Sequence, residues 1–379
     1  MDKLTRIGVL GGGQLGRMLQ QVATRWNWPV FCMDKSTDSP AALYSEYFTT
    51  GDINSYDDVM AFGGDKDILT VEIEHVNIEA LFDLEKAGKE IHPNPTALSL
   101  IQNKCKQKDY YKANLIPSSP HFNFDSRLEA IDLFDQGFIK LPCIYKSAEL
   151  GYDGKGVRLI SNRQDIKELP DLPGLFEEKI NIKAELALSG CANADGELVF
   201  FEPVTMTFDP ETHILSDVYC FPGALEKYRP ELENIATKLI KGLAIKGLLA
   251  VEFFLNQEDQ LIVNEIAPRP HNSMHHTIEN STTNQFEQHL RGIGNMPLGL
   301  TSTLTSAIMF NIIGRSEKLV EADWPGFREC LNIPGCHIHL YGKKVNKPGR
   351  KMGHITLTGN DMTSLKENLK KVKNTFDHE

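Results

Sequence analysis

Two apolar runs, Ala250-Val251-Glu252-Phe253-Phe254-Leu255 and Leu261-Ile262-Val263-Asn264-Glu265-Ile266, flank the polar stretch Gln257-Glu258-Asp259-Gln260. Short runs of this composition on either side of polar residues read as a β-hairpin. A turn centred between Glu258 and Asp259 sets Glu252 directly opposite Glu265, on the same face. Like charges facing each other across two strands destabilise the pair by roughly 0.2–1 kcal/mol. Inside an apolar hairpin the two carboxylates therefore ask for a cation. Oxygen-only ligands select a hard ion such as Mg²⁺, whose other positions go to water and substrate phosphates. A register displaced by one residue would instead leave one Glu solvated on the far face. The hairpin points to a metal–nucleotide enzyme.

The first third of the chain alternates strands and helices. Ile7–Leu10, Val30–Asp34 and Ile68–Glu72 read as strands, and Gln14–Arg25 and Asn77–Ala87 as helices. That alternation predicts a parallel, doubly wound sheet. His92-Pro93-Asn94-Pro95 interrupts the pattern before a helix carrying Lys104 and Lys108. Strands around a glycine-rich loop, from Pro117 to Ile182, suggest a small separate unit, and longer strands from Glu185 onward a larger antiparallel sheet. Leu232, Ile235, Ala236, Leu239, Ile240, Leu243 and Ala244 form a helical apolar stripe that belongs to the core. The expected domains are 1–105, 106–183 and 184–379.

A length of 379 residues allows two or three domains. A net charge of −11 leaves no domain-wide basic surface for nucleic acid. Seven scattered cysteines without Cys-x-x-Cys fit free thiols in a reducing cytosol. No signal peptide and no run near the roughly 18 apolar residues of a membrane span is visible. The expectation is a soluble cytoplasmic enzyme.

Two glycine devices could hold phosphate. Gly11, Gly13 and Gly16 satisfy G-x-G-x-x-G between a strand and a helix, with Asp34 ending the next strand. Read literally, this is a dinucleotide site; physically it needs only a tight turn and helix N-terminal amides. The second device is the loop Gly151 to Val157, preceded by Lys146 on the strand Cys143-Ile144-Tyr145-Lys146. No Walker-type G-x-x-x-x-G-K-[ST] occurs. Such lids also close to exclude water from reactive intermediates. Lys343, Lys344, Lys347, Arg350 and Lys351 place five cations in nine residues of an otherwise acidic chain. They read either as a solvated loop or, beside Arg269, as a clamp for an acceptor phosphate.

The order of Lys104, Lys146, the 151–157 loop, Glu177-Glu178-Lys179-Ile180, Glu185, Glu252 and Asn264-Glu265 resembles that of ATP-grasp enzymes. More narrowly, Gly13-Gln14-Leu15-Gly16-Arg17-Met18, Gly151-Tyr152-Asp153-Gly154-Lys155-Gly156, Asn264 through Ser273, and Pro348-Gly349-Arg350-Lys351-Met352-Gly353-His354 resemble the 5-(carboxyamino)imidazole ribonucleotide synthetase family. The resemblance spans nearly the whole chain. It implies an α/β and α+β ATP-grasp fold: an N-terminal Rossmann-like parallel-sheet domain, a small lid, and a larger antiparallel-sheet domain that includes a rudimentary C-terminal subdomain. It also implies carboxylation of aminoimidazole ribonucleotide in purine biosynthesis, with ATP, bicarbonate and one or two Mg²⁺ ions, by a homodimer.

Carried onto matching positions, the resemblance gives Lys104, Lys146, Gly151, Tyr152, Asp153, Gly154, Lys155, Gly156, Val157, Asn264 and Glu265 to ATP. Residues Glu177, Glu178, Lys179 and Ile180 would line the adenine pocket, largely by backbone, and Glu185 would bind the ribose. Glu252 and Glu265 would hold the metal. The acceptor side would comprise Gln14, Leu15, Glu74, Tyr152, Lys155, Arg269, His271, Asn272, Ser273, Lys343, Arg350 and Lys351. Asp153 would stand nearest the chemistry, orienting the amine and taking its proton, with Tyr152, Lys155, Arg269 and His271 beside it.

His271 and His275 have i, i+4 spacing, which on a helix can bind zinc, but Arg269-Pro270 opens the segment and no third ligand is spaced for it. His276 reads as packing. Two departures stand out. Ala267 occupies a position where many ATP-grasp enzymes carry Asn. Lys104 stands where close relatives often have Arg, a change that keeps charge but loses bidentate geometry. The rival readings are an NAD-dependent dehydrogenase built on Gly11–Gly16, a formate-dependent or amino-acid-dependent ATP-grasp ligase, and a regulatory nucleotide binder without turnover.

Overall fold

Alternation of apolar strands and amphipathic helices builds the N-terminal third into a parallel sheet. Its strand order is Phe48–Thr50, Val30–Asp34, Ile7–Leu10, Ile68–Val71 and Glu90–His92. All four residues of Ile7–Leu10 and of Ile68–Val71 are buried, as strands covered on both faces must be. The short outer strands Phe48–Thr50 and Glu90–His92 escape the sequence reading, because three residues carry too little periodicity to register. The computed structural model describes residues 5–149, 156–210, 212–314, 318–319, 324 and 326–376.

A small antiparallel sheet follows, ordered His121–Phe124, Gly174–Glu178, Cys143–Ser147 and Val157–Ile160. Phe124, Tyr145, Phe176 and Ile160 close its own core. Among the described residues the third sheet has nine antiparallel strands. Along its main path lie Leu261–Ala267, Gly247–Asn256, Ile182–Ala192, Val204–Phe208, Leu215–Cys220, Ser306–Ile313, Lys351–Gly359 and Cys336–Leu340, with Leu198–Phe200 paired to Ile182–Ala192.

The helix Arg229–Gly242 lays Leu232, Ile235, Ala236, Leu239 and Ile240 onto one face of this large sheet, against Leu186, Leu188, Val251 and Phe253. Because side chains alternate along strands, Glu185, Ala187 and Glu252 lie on the opposite face: Ala187 pairs with Glu252, and Glu185 stands two residues away. The helix thus seals one side of the sheet and leaves the other for chemistry.

The N-terminal sheet is tied to the large one through polar joints. Fully buried His289 accepts a hydrogen bond from the Leu248 amide through Nδ1 at 3.1 Å, so its Nε2–H donates to the Thr70 hydroxyl at 3.0 Å. Burial pushes this imidazole down to about 3, so it stays neutral. No described helix is long and apolar enough to cross a membrane.

Candidate active site

The hairpin pairs Glu252 with Glu265, as the sequence predicts, but by a different route. Leu255, Phe254 and Phe253 pair with Leu261, Ile262 and Val263, which centres the turn on Glu258 and not between Glu258 and Asp259. That register would place Asn264 opposite Glu252 and turn Glu265 towards the helix-covered core. An irregularity between Glu252 and Phe253 takes up Asn264 as one extra residue and restores the pairing. Such a bulge re-aims side chains where a strand must serve a site. Glu252 is 9 % exposed and Glu265 is exposed, both on the face away from the helix.

The displaced Asn264 has a definite partner. Its Oδ1 accepts a hydrogen bond from Lys146 Nζ at 3.0 Å, across the gap between the small sheet and the large one. Lys146 Nζ also lies 3.1 Å from Glu177 Oε2, and the other Glu177 oxygen lies 3.0 Å from Lys108 Nζ. Glu177 is 3 % exposed and Lys108 2 %. Burial raises the Glu177 carboxyl, but the ammonium groups of Lys146 and Lys108 outweigh it and leave the group below its ordinary range. Burial pushes Lys108 down to about 8, against the pull of Glu177.

The Glu177 carboxylate is therefore turned into the interior between the two lysines. Glu178 and Lys179 beside it are exposed and Ile180 is half-buried. Lys108, noted from the sequence on the same helix as Lys104, is given no role there. Its signal was present, one helical turn after Lys104 in the helix Lys104–Ala113. Lys104 opens that helix, with its backbone amide on the Ala148 carbonyl at 2.8 Å. On the large sheet Glu185 is held up to about 7 by burial alone.

Arg269 reaches the N-terminal sheet. Its Nε and Nη2 lie 2.9 and 3.0 Å from the two oxygens of Glu74, a forked ion pair between the first sheet and the third. His271, just before a short helical turn, has Nδ1 2.9 Å from Ser273 Oγ and Nε2 3.7 Å from Glu252 Oε1. Asn272 and Ser273 are turned inward. Asn272 exchanges amide hydrogen bonds with Asn311 at 3.0 and 2.7 Å, and Ser273 is fully buried. Ser273 Oγ thus steadies the His271 ring, while the Asn272 side chain is engaged with Asn311. His275 is also buried, with Nδ1 on the Gln285 amide at 2.9 Å, and His276 Nδ1 lies 3.0 Å from Asn280 Oδ1.

The glycine turn at 11–16 is already occupied. The Leu15 amide donates to Glu72 Oε1 at 3.2 Å and the Gly12 amide to Asp34 Oδ2 at 2.9 Å. A Cβ on Gly13 would stand 2.4 Å from Glu72 Oε1, so the glycine admits a carboxylate of the protein itself. With two carboxylates on its amides the turn does not welcome a pyrophosphate, and Asp34 is committed to the backbone. This removes the basis of the dehydrogenase reading. Leu15 packs in the core at 5 % exposure, with its amide on Glu72, and Gln14 is partly exposed.

In the basic segment, Lys343 Nζ donates to the Lys351 carbonyl at 2.7 Å and Arg350 Nη1 to the Val345 carbonyl at 2.9 Å. Lys344 pairs with Asp38, bringing this segment against the N-terminal domain. Gly151, Tyr152, Asp153, Gly154 and Lys155 lie outside the described residues; Gly156 and exposed Val157 follow them. Among the described residues no group of three or more His, Cys, Asp or Glu is placed to hold a metal. Mg²⁺ bound by two carboxylates and completed by phosphates needs no larger set, so Glu252 and Glu265 fit it.

The three sheets with this set of side chains define an ATP-grasp ligase. Residues 110–286 match the ATP-grasp domain, residues 4–102 the ribonucleotide synthetase preATP-grasp domain, and residues 307–368 the phosphoribosylaminoimidazole carboxylase C-terminal domain. The chain belongs to the N5-carboxyaminoimidazole ribonucleotide synthase family. It is 32 % identical to the Aquifex aeolicus synthase over 372 residues, covering 97 % of this chain and 95 % of that one. It is 33 % identical to the chloroplastic phosphoribosylaminoimidazole carboxylase of Vigna aconitifolia over 96 % of its own length, but spans only 66 % of that longer relative. The Aspergillus clavatus enzyme, solved with ADP and 5-aminoimidazole ribonucleotide, superposes with a TM-score of 0.88 at 32 % identity, covering 100 % of both chains. The Thermotoga maritima synthetase gives 0.88 at 32 % identity over 98 % of each.

Proposed function

We propose that this protein carboxylates 5-aminoimidazole ribonucleotide, using ATP and bicarbonate and releasing ADP and phosphate, in purine biosynthesis. One observation carries the nucleotide half of this reading: the Glu252–Glu265 pair and the Lys146–Asn264 contact meet on a single hairpin. A metal-binding pair and a phosphate-binding cation are thereby set side by side. Lys146 and Lys104 take the ATP phosphates, Glu185 the ribose, and the backbone of residues 177–180 the adenine. Glu252 and Glu265 would hold Mg²⁺, which when bound neutralises charge on the phosphates.

In the reaction, the γ-phosphoryl group of ATP passes to a bicarbonate oxygen, giving ADP and carboxyphosphate. Carboxyphosphate breaks its carboxyl C–O bond to release CO₂ and phosphate. The ribonucleotide amine then adds to the CO₂ carbon and loses a proton, leaving an N-carboxylate. His271, steadied by Ser273 near Glu252, orients bicarbonate in this reading. Lys343, Arg350 and Lys351, with Arg269 and Gln14, receive the ribonucleotide, and Glu74 aims Arg269 from the N-terminal sheet. The roles of Asp153 in orienting the amine and taking its proton, and of Tyr152 and Lys155 beside it, rest on the sequence.

We place the enzyme in the cytoplasm, where its seven cysteines, all free, would remain thiols, and we expect a homodimer. The deciding measurement is ADP release from MgATP and bicarbonate, with and without aminoimidazole ribonucleotide. Strong stimulation that requires both bicarbonate and the ribonucleotide is expected. ATP binding without turnover in any combination would overturn the acceptor assignment.

A further inference from the structure

Lysine carries its charge on a flexible four-carbon stem, so a lysine that must meet a phosphate at one point needs something to hold it. Lys343 Nζ donates to the Lys351 carbonyl at 2.7 Å on one side and on the other lies 5.4 Å from the centroid of the Tyr341 ring, within the range in which an aromatic face attracts a cation. Tyr341 is 1 % exposed, and its backbone amide donates to the Met352 carbonyl at 3.0 Å, continuing the ladder between the last two strands. Its hydroxyl lies 2.9 Å from Nδ1 of fully buried His354.

Behind this pair stands a stack of imidazoles. His354 lies parallel to His339, with centroids 4.4 Å apart and an 8° tilt, and 4.8 Å from His275. His275 stands edge-on to Tyr341, 6.3 Å away at 80°. Burial first, then neighbouring groups (His271, His339 and Lys351 at His275; His275 and His339 at His354), hold both well below the ordinary imidazole range. Both are neutral at physiological pH, so they support the tyrosine without repelling the ammonium it carries.

We propose that Tyr341 is a positioning residue for the carboxylation: its ring carries the Lys343 ammonium, and His354 fixes the ring through the tyrosine hydroxyl. The proposal rests on the reading of Lys343 as a ligand of the ribonucleotide phosphate. It adds a means of aiming that cation before substrate arrives, which lowers the ordering cost of binding.

A double-mutant cycle tests it. Lys343→Ala should raise KM for aminoimidazole ribonucleotide and leave KM for ATP within about twofold. Tyr341→Leu should raise the ribonucleotide KM about tenfold, with KM for ATP likewise unmoved. Tyr341→Phe, which keeps the ring and loses only the link to His354, should raise it about threefold. In the Lys343→Ala background, Tyr341→Leu should add less than about twofold, because its effect runs through the lysine. Equal effects of Tyr341→Leu with and without Lys343, or a parallel rise in KM for ATP, would overturn the proposal. So would an unchanged ribonucleotide KM in Tyr341→Leu. An unchanged ribonucleotide KM in Lys343→Ala would instead remove the phosphate role of Lys343, and the proposal with it, independently of the tyrosine variants. Should Tyr341→Leu not fold, the same cycle run with Tyr341→Phe decides.

Discussion

Glu177 shows how one buried side chain can organise the cations of a site. Its two oxygens separate Lys108 and Lys146, which otherwise would confront each other in the interior. Removing one partner of a buried ionic network costs about 3–5 kcal/mol, since the remaining charge stays uncompensated. Glu177→Gln should therefore lower the urea midpoint sharply and raise KM for ATP, because Lys146 loses its anchor. Native-like stability with normal ATP kinetics would refute this account. Glu185 makes a separate prediction. Burial raises its carboxyl to about 7 from an ordinary 4.5, so the folded protein holds this proton more tightly than the unfolded chain. Its contribution to stability is thus full below about pH 4.5 and is lost as pH rises through about 7. Relative to wild type, Glu185→Gln should gain thermal stability across that window. Ribose hydroxyls favour an ionised acceptor, so nucleotide affinity should tighten through about pH 7 in the wild type and stay flat in the variant. Calorimetric titration on either side of that pH would decide it.

At the scale of the element, the hairpin owes its geometry to one extra residue. Asn264 lies between two in-register stretches, so the strand continues from the Phe253–Val263 pair to Glu252–Glu265 while presenting an amide to Lys146. Deleting Asn264 should straighten the strand without moving the carboxylates. Mg²⁺-dependent turnover should survive, with KM for ATP raised about tenfold for the lost hydrogen bond to a charged group. Initial rates across an ATP series would show this. Complete loss of turnover in a folded variant would mean that the bulge shapes the metal site itself. The glycine turn teaches a related lesson. Its spacing was legible as a tight strand-to-helix turn, but the groups filling it, Glu72 and Asp34, come from two neighbouring strands. Asp34 stands out at the end of the next strand, but no local pattern marks Glu72 as the second carboxylate.

Across the whole molecule, the N-terminal sheet and the large sheet are joined by the Glu74–Arg269 fork and the Thr70–His289–Leu248 bridge. The first lies at the candidate site, and the second involves none of its residues. His289→Leu should leave a buried hydroxyl and a buried amide unpaired, at roughly 1–3 kcal/mol each. Thermal denaturation should show the loss, while kcat per folded molecule stays within about twofold. A large fall in kcat without a stability change would instead mean that this joint governs the relative placement of the two walls.

What the sequence by itself determined was local chemistry: the two strands that carry Glu252 and Glu265, the Lys146 strand, the helical stripe from Leu232 to Ile240, and the alternation that requires a parallel sheet. These follow from side-chain period and turn composition over a few neighbouring residues. Tertiary structure decided where each charge is spent. Glu177 turned inward because Lys108 and Lys146 converge on it from a helix and a neighbouring strand. Asn272 turned inward because the strand bearing Asn311 passes behind it. Leu15 joined the core, and the glycine turn closed on Glu72 and Asp34. A carboxylate or an amide reads alike along the chain whether it meets a ligand or another side chain; only the partners that folding brings within hydrogen-bond reach tell the two apart.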